Sequence, residues 1–218
     1  FTDQVKEELT HKDKFGYQEQ LAELAALIRI DGSIQIANKH LAVKVTLYHG
    51  NLARRIYSLI KERFGFNIEI RVRQDRKFNL SHSYDIIVTP QPGVREFLLE
   101  LGFLTPENSL VFHIKDEYLN SRKLSQAYLR GLFLGGGSVN SPQSEYHLEF
   151  RCERESLAED LKLILAKFDL EAHQTEHKGY YVIYFKSYAE VVKVLNIIGA
   201  HQAMLKMEND HIVKELKN

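Results

Sequence analysis

The chain has 218 residues with 29 basic and 29 acidic side chains, so its formal net charge is zero at pH 7. A domain built only to grip DNA usually carries a clear positive excess, and this balance argues against that class. The four prolines and 44% apolar residues predict an ordered globular chain, with one large domain or two small ones.

Cysteine count and hydropathy point to a cytoplasmic protein. Cys152 is the only cysteine, so no internal disulfide can form. The N-terminus lacks the regions of a signal peptide, and no apolar run approaches the roughly 20 residues that span a bilayer. Because the chain starts at Phe1 and ends within a helical pattern, we expect a fragment of a longer protein.

An internal repeat follows a lead-in segment at 1–20. The stretch LIRIDGSI superposes on LFLGGGSV, which aligns Gly32 with Gly137 and Ser33 with Ser138. In each half the order is helix, two strands, helix, two strands, helix. We therefore expect an α+β fold of two pseudo-symmetric αββαββα units, at 21–105 and 106–200.

The elements of the two halves can be read in chain order. The first half offers SIQIANK, AVKVTLY, the helix NLARRIYSLIKERF, the strands NIEIRVRQ and YDIIVTP, and the helix GVREFLLELGF. The second offers SVN, YHLEFRC, the helix ESLAEDLKLILAKF, the strands EAHQTEH and YYVIYF around the turn KG, and the helix YAEVVKVLNIIGA. Residues 201–218 form a last helix, expected to pack partly on the units and partly to serve as a linker to a further domain.

Small residues predict how the two units meet. Ala22 and Ala26 are four residues apart, as are Gly131 and Gly135, so each pair lies on one helix face. Alanine alone could reflect helix propensity, but a glycine inside a helix costs about 0.5–1 kcal/mol unless packing compensates. We expect a close helix-to-helix interface here.

Alternation in the strands predicts which sheet face is covered. In NIEIRVR, the side chains of Ile68, Ile70 and Val72 point to one face and the charged residues to the other. Helices should cover the apolar face. The open face of the first unit carries the candidate DNA-binding residues, which are Lys44, Arg71, Arg73, Arg76 and Lys77; a merely solvated face is the alternative.

The open face of the second unit is a poorer surface for DNA. It offers His147, Glu149 and Arg151 on one strand and Glu171 or Glu176 on another, and carboxylates repel phosphates. His173 and His177 lie about 13 Å apart on a predicted strand, too far apart to bind one ion, so we expect no metal. Cys152 should face the core rather than act as a nucleophile.

The doubled motif resembles the LAGLIDADG signature of homing endonucleases. LAALIRIDG at 24–32 matches most of that signature, whereas LRGLFLGGG at 129–137 matches its shape without the acids. More narrowly, the chain is similar to the WhiA family of bacterial transcription regulators, through FTDQVKEEL, LIRIDGSI and YLRGLFLGGGSVNSP. Two LAGLIDADG-type units packed through their motif helices are the fold that this resemblance implies.

The resemblance also implies where a nuclease site would lie. In nucleases of this type the acid before the glycine of each motif holds divalent metal ions at the base of the helix interface. Here Asp31 would be a vestigial acid whose partner is lost at Gly136, so we expect no catalysis, no metal and no cofactor. Asp31 could instead bond the backbone of a Gly32 turn or pair with a cation such as Arg29.

For the intact protein, the resemblance implies a scaffold role in developmental and cell-division gene control. DNA would be bound mainly by a C-terminal helix-turn-helix domain, with a WhiB-type iron-sulfur regulator as a possible partner, at the nucleoid and away from membranes. The rivals are an active endonuclease rebuilt around Glu145 or Glu149, and a ligand sensor in the helix cleft. The role of the loop from Asp75 to Ser83 stays open.

Overall fold

The computed structural model describes residues 1–11, 15–37, 40–74 and 82–217. The first unit follows a helix α1 (Thr2–Thr10). Its elements are α2 (Tyr17–Asp31), β1 (Gly32–Ala37), β2 (His40–Leu47), α3 (Gly50–Phe64), β3 (Ile68–Gln74), β4 (His82–Val88) and α4 (Val94–Leu101). Within these ranges no helix is long and apolar enough to cross a bilayer.

The second unit repeats this order after a short helix α5 (Asp116–Asn120), which the sequence pattern did not predict. Its elements are α6 (Arg122–Gly136), β5 (Gly137–Val139), β6 (Leu148–Cys152), α7 (Glu155–Ala166), β7 (His173–His177), β8 (Tyr180–Phe185), α8 (Tyr188–Ile198) and α9 (His201–Lys217). The α+β architecture of two similar units is therefore confirmed.

Each unit contributes one four-stranded antiparallel sheet. The strand orders are β1-β2-β4-β3 and β5-β6-β8-β7, so the second strand of each unit pairs with the fourth. The hairpin β7–β8 turns at Lys178 and Gly179, both with positive φ (51° and 78°). Two such residues suit a tight turn whose twist matches that of the strands, as the KG pair predicts.

The two units meet through α2 and α6, which pack against each other at the centre of the molecule. Every α2 side chain from Leu21 to Ile28 is buried, including the carboxylate of Glu23. A helix that is buried on all sides belongs to a core rather than to a surface. The apolar cores of the units accordingly form one continuous cluster across this helix pair.

Small side chains allow the close approach of α2 and α6. Ala22 and Ala26 are fully buried. A Cβ added to Gly131 would lie 2.5 Å from the carbonyl oxygen of Glu23 and 2.7 Å from Cβ of Ala26. A Cβ added to Gly135 would overlap Cγ2 of Ile30. No side chain larger than hydrogen fits these two positions without moving α2.

The N-terminal helix α1 is attached to the second unit. The hydroxyl of Thr2 donates to the carbonyl of Val139 and accepts from its N–H, both at 2.9 Å. The carboxylate of Glu8 accepts from the N–H groups of Gln202 and Ala203 and so caps α9. The lead-in segment 1–20 therefore holds a packed helix, and its predicted end falls inside α2, which begins at Tyr17.

The last helix α9 packs on the second unit through a narrow face. Met207 is buried, and the ring of His211 stacks on Tyr188 with centroids 3.7 Å apart. The hydroxyl oxygen of Tyr146 lies 2.9 Å from Nδ1 of His211. The outer face of this helix is exposed, and Leu216 on it is 82% exposed.

One expectation about sheet coverage is wrong. Ile70 and Val72 are 49% and 58% exposed, although their alternation predicted a covered face. They lie on β3, the edge strand, whereas the helices of this unit pack on β2 and β4. Alternation fixes which side chains share a face, but the helix positions decide whether that face is covered.

Candidate functional site

The motif helices end beside a cavity at the junction of the two units. Asp31, the last residue of α2, lines it together with Gly136 at the end of α6. The cavity volume is about 460 Å³. Its other polar side chains come from α1, the residue after β2, β5, β6, the residue after β6, and the start of β8: Lys6, Tyr48, Ser138, Glu149, Arg151, Glu153 and Tyr180.

The electrostatics of the cavity depend on one carboxyl group and one ammonium group. Burial raises the pKa of Asp31 to about 6, the Lys6 charge opposes that rise, and Glu153 adds to it. Burial lowers the pKa of Lys6, while Asp31 and Asp3 act in the opposite direction. Both charged forms are therefore poorly solvated, and each is the main favourable charge for the other.

The position of the second motif acid is filled by neighbouring atoms. A Cβ added to Gly136 would overlap Cδ1 of Ile30 and lie 2.7 Å from the carbonyl oxygen of Arg151. That carbonyl belongs to strand β6, whose backbone cannot shift without breaking sheet pairing. A carboxylate at this position would therefore displace the side chain or backbone that now closes the space.

Arg29 does not face Asp31, contrary to one of the two structural roles considered for that acid. Its guanidinium donates to the carbonyl of Val111 at 2.6 Å and of His113 at 3.2 Å. It also lies 4.2 Å from the ring centre of Phe103. Arg29 therefore anchors the segment between the units, and the cation near Asp31 is Lys6.

The Gly32 turn is also absent. Gly32 has φ −110° and ψ 171°, so β1 starts directly where α2 ends. Among the described hydrogen bonds, none involves the carboxylate of Asp31, and the N–H of Gly32 donates to the carbonyl of Ile28. The chain passes straight from the motif helix into the sheet, which carries Asp31 to the open sheet side.

The basic residues of the first sheet are partly neutralised. Arg73 donates to the buried carboxylate of Asp85 at 2.9 Å, and Thr46 donates to the same oxygen at 2.7 Å. Arg71 donates to the neighbouring Glu69 at 3.0 Å. Both arginines stay exposed. The Arg71–Glu69 pair is exposed on both sides and therefore weak, so a phosphate could compete for Arg71, whereas the carboxylate partner of Arg73 is buried.

The remaining candidates for DNA binding divide into two groups. Lys44 is half-buried on β2, where it pairs with Ser33 on the same face of the sheet. Arg76 and Lys77 lie outside the described residues, as does most of the loop from Asp75 to Ser83. The first sheet thus presents three described basic side chains around one buried carboxylate, that of Asp85.

The second sheet carries aromatic rings where the first carries arginines. His147, which directly precedes β6, stacks on Tyr184 of β8, and Tyr184 stacks on His173 of β7, with centroid distances of 5.7 and 5.3 Å. Nε2 of His147 lies 2.8 Å from the carboxylate of Glu149. The guanidinium of Arg151 lies 3.6 Å from the ring centre of Tyr180. This face is aromatic and nearly neutral rather than basic.

Either Glu171 or Glu176 was expected on the open face of the second unit, and the structure contradicts this for Glu176. Glu171 precedes β7, and Glu176 pairs with Tyr181, which in turn pairs with the buried Cys152. Paired residues share a sheet face, so Glu176 projects toward the helix side. Burial raises the pKa of Cys152 to about 12, which leaves its thiol protonated and unreactive.

Two family models match most of the chain. One, described as the WhiA N-terminal LAGLIDADG-like domain, matches residues 17–104, and the WhiA LAGLIDADG-like domain matches 125–217. A "probable cell division protein WhiA" of Halothermothrix orenii is 56% identical over all of this chain and 70% of its own length. The chain belongs to the WhiA family.

Solved structures with a similar fold include members of the WhiA family and a nuclease. Full-length DUF199/WhiA from Thermatoga maritima has a TM-score of 0.74 and 23% identity, over 98% of this chain and 66% of that one. The homing endonuclease I-DmoI, in complex with DNA and Mn, has a TM-score of 0.59 and 17% identity, over 84% and 98%. Both show the fold alone.

Within this WhiA-type fold, sequence reasoning missed part of the cavity lining. Lys6 and Tyr48 come from segments far from either motif in sequence, so no local pattern marks them. Glu153 directly follows the strand β6, and pairing of β5 with β6 could have placed it near Gly137. Asp31 itself was found because it ends a recognisable motif.

No group of three His, Cys, Asp or Glu suited to a metal occurs in the described ranges.

Proposed function

We propose that this chain is the catalytically silent LAGLIDADG-like region of a WhiA-type DNA-binding transcription regulator. Its role is to position a helix-turn-helix domain and to contact protein partners. The observation that supports the proposal best is the lost second acid, since Asp31 faces Gly136 and the place of a carboxylate is occupied by Ile30 and a backbone carbonyl. The resemblance to nucleases of this fold implies that metal-dependent phosphodiester hydrolysis uses one carboxylate from each motif, and this chain supplies only one of the two.

The name of the relative from Halothermothrix orenii supports a role in cell division. By extension from the family, we propose control of cell-division and sporulation genes in the cytoplasm, at the nucleoid. A WhiB-type iron-sulfur regulator is one candidate partner for the open sheet faces. The stacked His147, Tyr184 and His173 rings offer a flat surface that suits a protein contact better than a phosphate backbone.

DNA contact by this chain alone should be weak. In the first sheet, Arg71 and Arg73 are each paired with a carboxylate, which a phosphate must displace. The second sheet contributes Glu149 close to the motif cavity. The main DNA contact of the intact regulator then falls to the helix-turn-helix domain.

An active endonuclease is the rival function. Of the two acids considered for it, Glu149 lines the same cavity as Asp31, whereas Glu145 lines a different cavity. Glu153, which the sequence did not single out, also lines the cavity of Asp31. A nuclease rebuilt on these acids would bind Mn²⁺ or Mg²⁺ and cut duplex DNA. The scaffold would do neither. The two functions therefore differ in a single assay.

The experiment measures fluorescence anisotropy of labelled duplex DNA with this chain and with the full-length protein, across a salt series. A Mg²⁺ and Mn²⁺ cleavage assay uses the same duplex. Weak binding by this chain, tight binding by the full-length protein and no cleavage are expected. Cleavage that disappears in Asp31→Asn would establish the nuclease, and tight binding by this chain with a steep salt slope would overturn the scaffold role.

A variant pair tests the first sheet directly. Replacing Lys44 and Arg71 with Gln should flatten the salt slope of whatever weak binding remains. Replacing Arg54, an exposed residue on α3 with no described partner, should leave that slope unchanged. Equal effects of the two changes would show that binding is not localised on this sheet.

A further inference from the structure

A second cavity lies at the N-terminal end of α6, where both units meet the corner between α8 and α9. Its volume is about 300 Å³, at the lower end of the range for small-molecule sites. The polar side chains that line it are mainly basic. They include Arg122, Lys123, Gln126 and Arg130 from α6, Glu19 from α2 and His201 from α9.

Helical spacing aligns the donors of α6. Arg122, Gln126 and Arg130 are four residues apart in turn, so they follow one face of the helix into the cavity. Arg122 and Lys123 are exposed at its mouth, whereas Arg130 is buried, with 4% of its surface exposed. Basic side chains line this face from mouth to base, although Arg130 at the base is paired with the buried carboxylate of Glu23. Glu19 is the one acid among the lining residues named.

Arg130 is held rigidly and has an unused donor. Its Nε donates to the buried carboxylate of Glu23, and its guanidinium lies 3.6 Å from the ring centre of Phe15. Its Nη2 atom is buried and has no hydrogen-bond partner among the described residues. Buried guanidinium donors are normally satisfied, so an unsatisfied one at the base of a basic cavity points to a missing acceptor.

The N-terminal end of α9 adds few free N–H donors for a bound anion. Two N–H groups of its first turn, those of Gln202 and Ala203, already donate to the carboxylate of Glu8. The anion-binding capacity of the cavity therefore rests on side chains. A planar guanidinium fixed by an aromatic ring suits a phosphate oxygen, and in Arg130 the unused Nη2 is the donor available for it because Nε already donates to Glu23.

We propose that this cavity binds the phosphate group of a small phosphorylated metabolite. The bound ligand contacts Glu19 and Phe15 of the first unit and α6 of the second, so it stabilises the arrangement of the two units. The cavity is separate from the motif site: α6 has 15 residues and is about 22 Å long, with Gly136 at its other end. DNA on the open sheet faces would not reach it. This inference does not depend on the proposed function.

The test uses isothermal titration of the chain with inorganic pyrophosphate and with inorganic phosphate, at constant ionic strength set by KCl. Saturable binding below 1 mM is expected, on the order of a −4 kcal/mol or stronger interaction. The double variant Arg122→Gln, Lys123→Gln should bind at least tenfold more weakly. Both changes are at exposed positions and should leave folding intact. Arg54→Gln, which removes a charge elsewhere, should bind as the unchanged chain does.

Three outcomes would overturn the proposal. They are the absence of saturable heat with either anion, an equal loss of affinity in the Arg54 variant, and displacement of bound pyrophosphate by duplex DNA. The last would assign the cavity to a nucleic-acid backbone. Arg130→Lys tests the base of the cavity separately: it keeps the charge toward Glu23 but loses the planar fork, so pyrophosphate affinity should fall in a variant that still folds, as circular dichroism can verify.

Discussion

The carboxyl group of Asp31 has no matching acid in the second motif, and its raised pKa affects the stability of the fold. In the folded chain it is half-buried near Lys6 without a hydrogen bond among the described residues, and its pKa rises to about 6 from an ordinary value of 3.8. A raised carboxyl pKa means that the folded state holds the proton more tightly than the unfolded state does. Its ionisation therefore destabilises the fold as pH rises from about 4 to 6, and the full penalty is present above pH 6.

Asp31→Asn should remove that penalty. We expect the variant to be more stable than the unchanged chain by about 1–2 kcal/mol at pH 7.5, after allowance for solvent screening, and equally stable near pH 4. Urea unfolding across this pH range measures the difference. Glu159→Gln, an exposed acid on α7, is the matched control and should show no pH-dependent gain. A less stable Asp31→Asn variant at pH 7.5 would contradict this account.

Gly136→Asp tests whether the second half of the site can be restored. Because a Cβ there meets Ile30 and the carbonyl of Arg151, we expect a loss of about 1–3 kcal/mol of stability and no Mg²⁺ binding. Urea unfolding and titration calorimetry with Mg²⁺ provide the two measurements. Gly136→Ala should cost nearly as much, since the steric conflict begins at Cβ. Wild-type stability together with a bound metal would show that the site has not closed.

At the scale of elements, α2 and α6 are held by a buried ion cluster as well as by small residues. The carboxylate of Glu23 accepts from Arg130 on α6 and from Arg55 on α3. The side chains of Glu23 and Arg130 are 3% and 5% exposed, so water contributes little to their solvation. These three side chains join both units and the covering helix α3 at a single point.

Glu23→Gln should be strongly destabilising, because it leaves the buried guanidinium of Arg130 without a counter-charge. We expect a loss of about 3 kcal/mol or more, measured by urea unfolding at pH 7.5. Glu69→Gln removes an exposed partner of Arg71 and should cost less than about 1 kcal/mol. Similar losses in the two variants would mean that the cluster contributes no more than a surface pair.

At the scale of the whole molecule, the two units share one core, and α2 is buried on all its faces between Leu21 and Ile28. Separating the units would expose that helix and α6 to water. It would also leave Glu23 without Arg130. The molecule should therefore unfold as one cooperative unit, although its sequence is a repeat.

We expect residues 15–104 and 121–217, produced separately, to lack a cooperative unfolding transition, whereas the intact chain has one. Circular dichroism during urea unfolding of each piece and of the chain makes the comparison. Mixing the two pieces is the control, because association through α2 and α6 should restore part of the transition. A sharp transition in either piece alone would show that a unit is stable by itself.

Much of the fold could be predicted because it depends on local patterns. Helix periodicity, strand alternation and the KG turn predicted most elements and the doubled αββαββα order, and the motif predicted Asp31 as the surviving acid. Spacing also predicted which residues of Cys152's strand face the core. Each of these follows from residues within a few positions of one another, where backbone geometry alone sets direction.

Tertiary structure decided what depends on contacts between distant segments. The exposure of Ile70 and Val72 follows from where the helices lie, and the pairing of Lys6 with Asp31 from the docking of α1. Arg29, which is close to Asp31 in sequence, turns toward Val111 instead. The sequence by itself thus determined the repeat, the fold class and the missing acid. Packing across the repeat decided the neighbours of the remaining acid, because electrostatic and steric contacts depend on distance in space rather than along the chain.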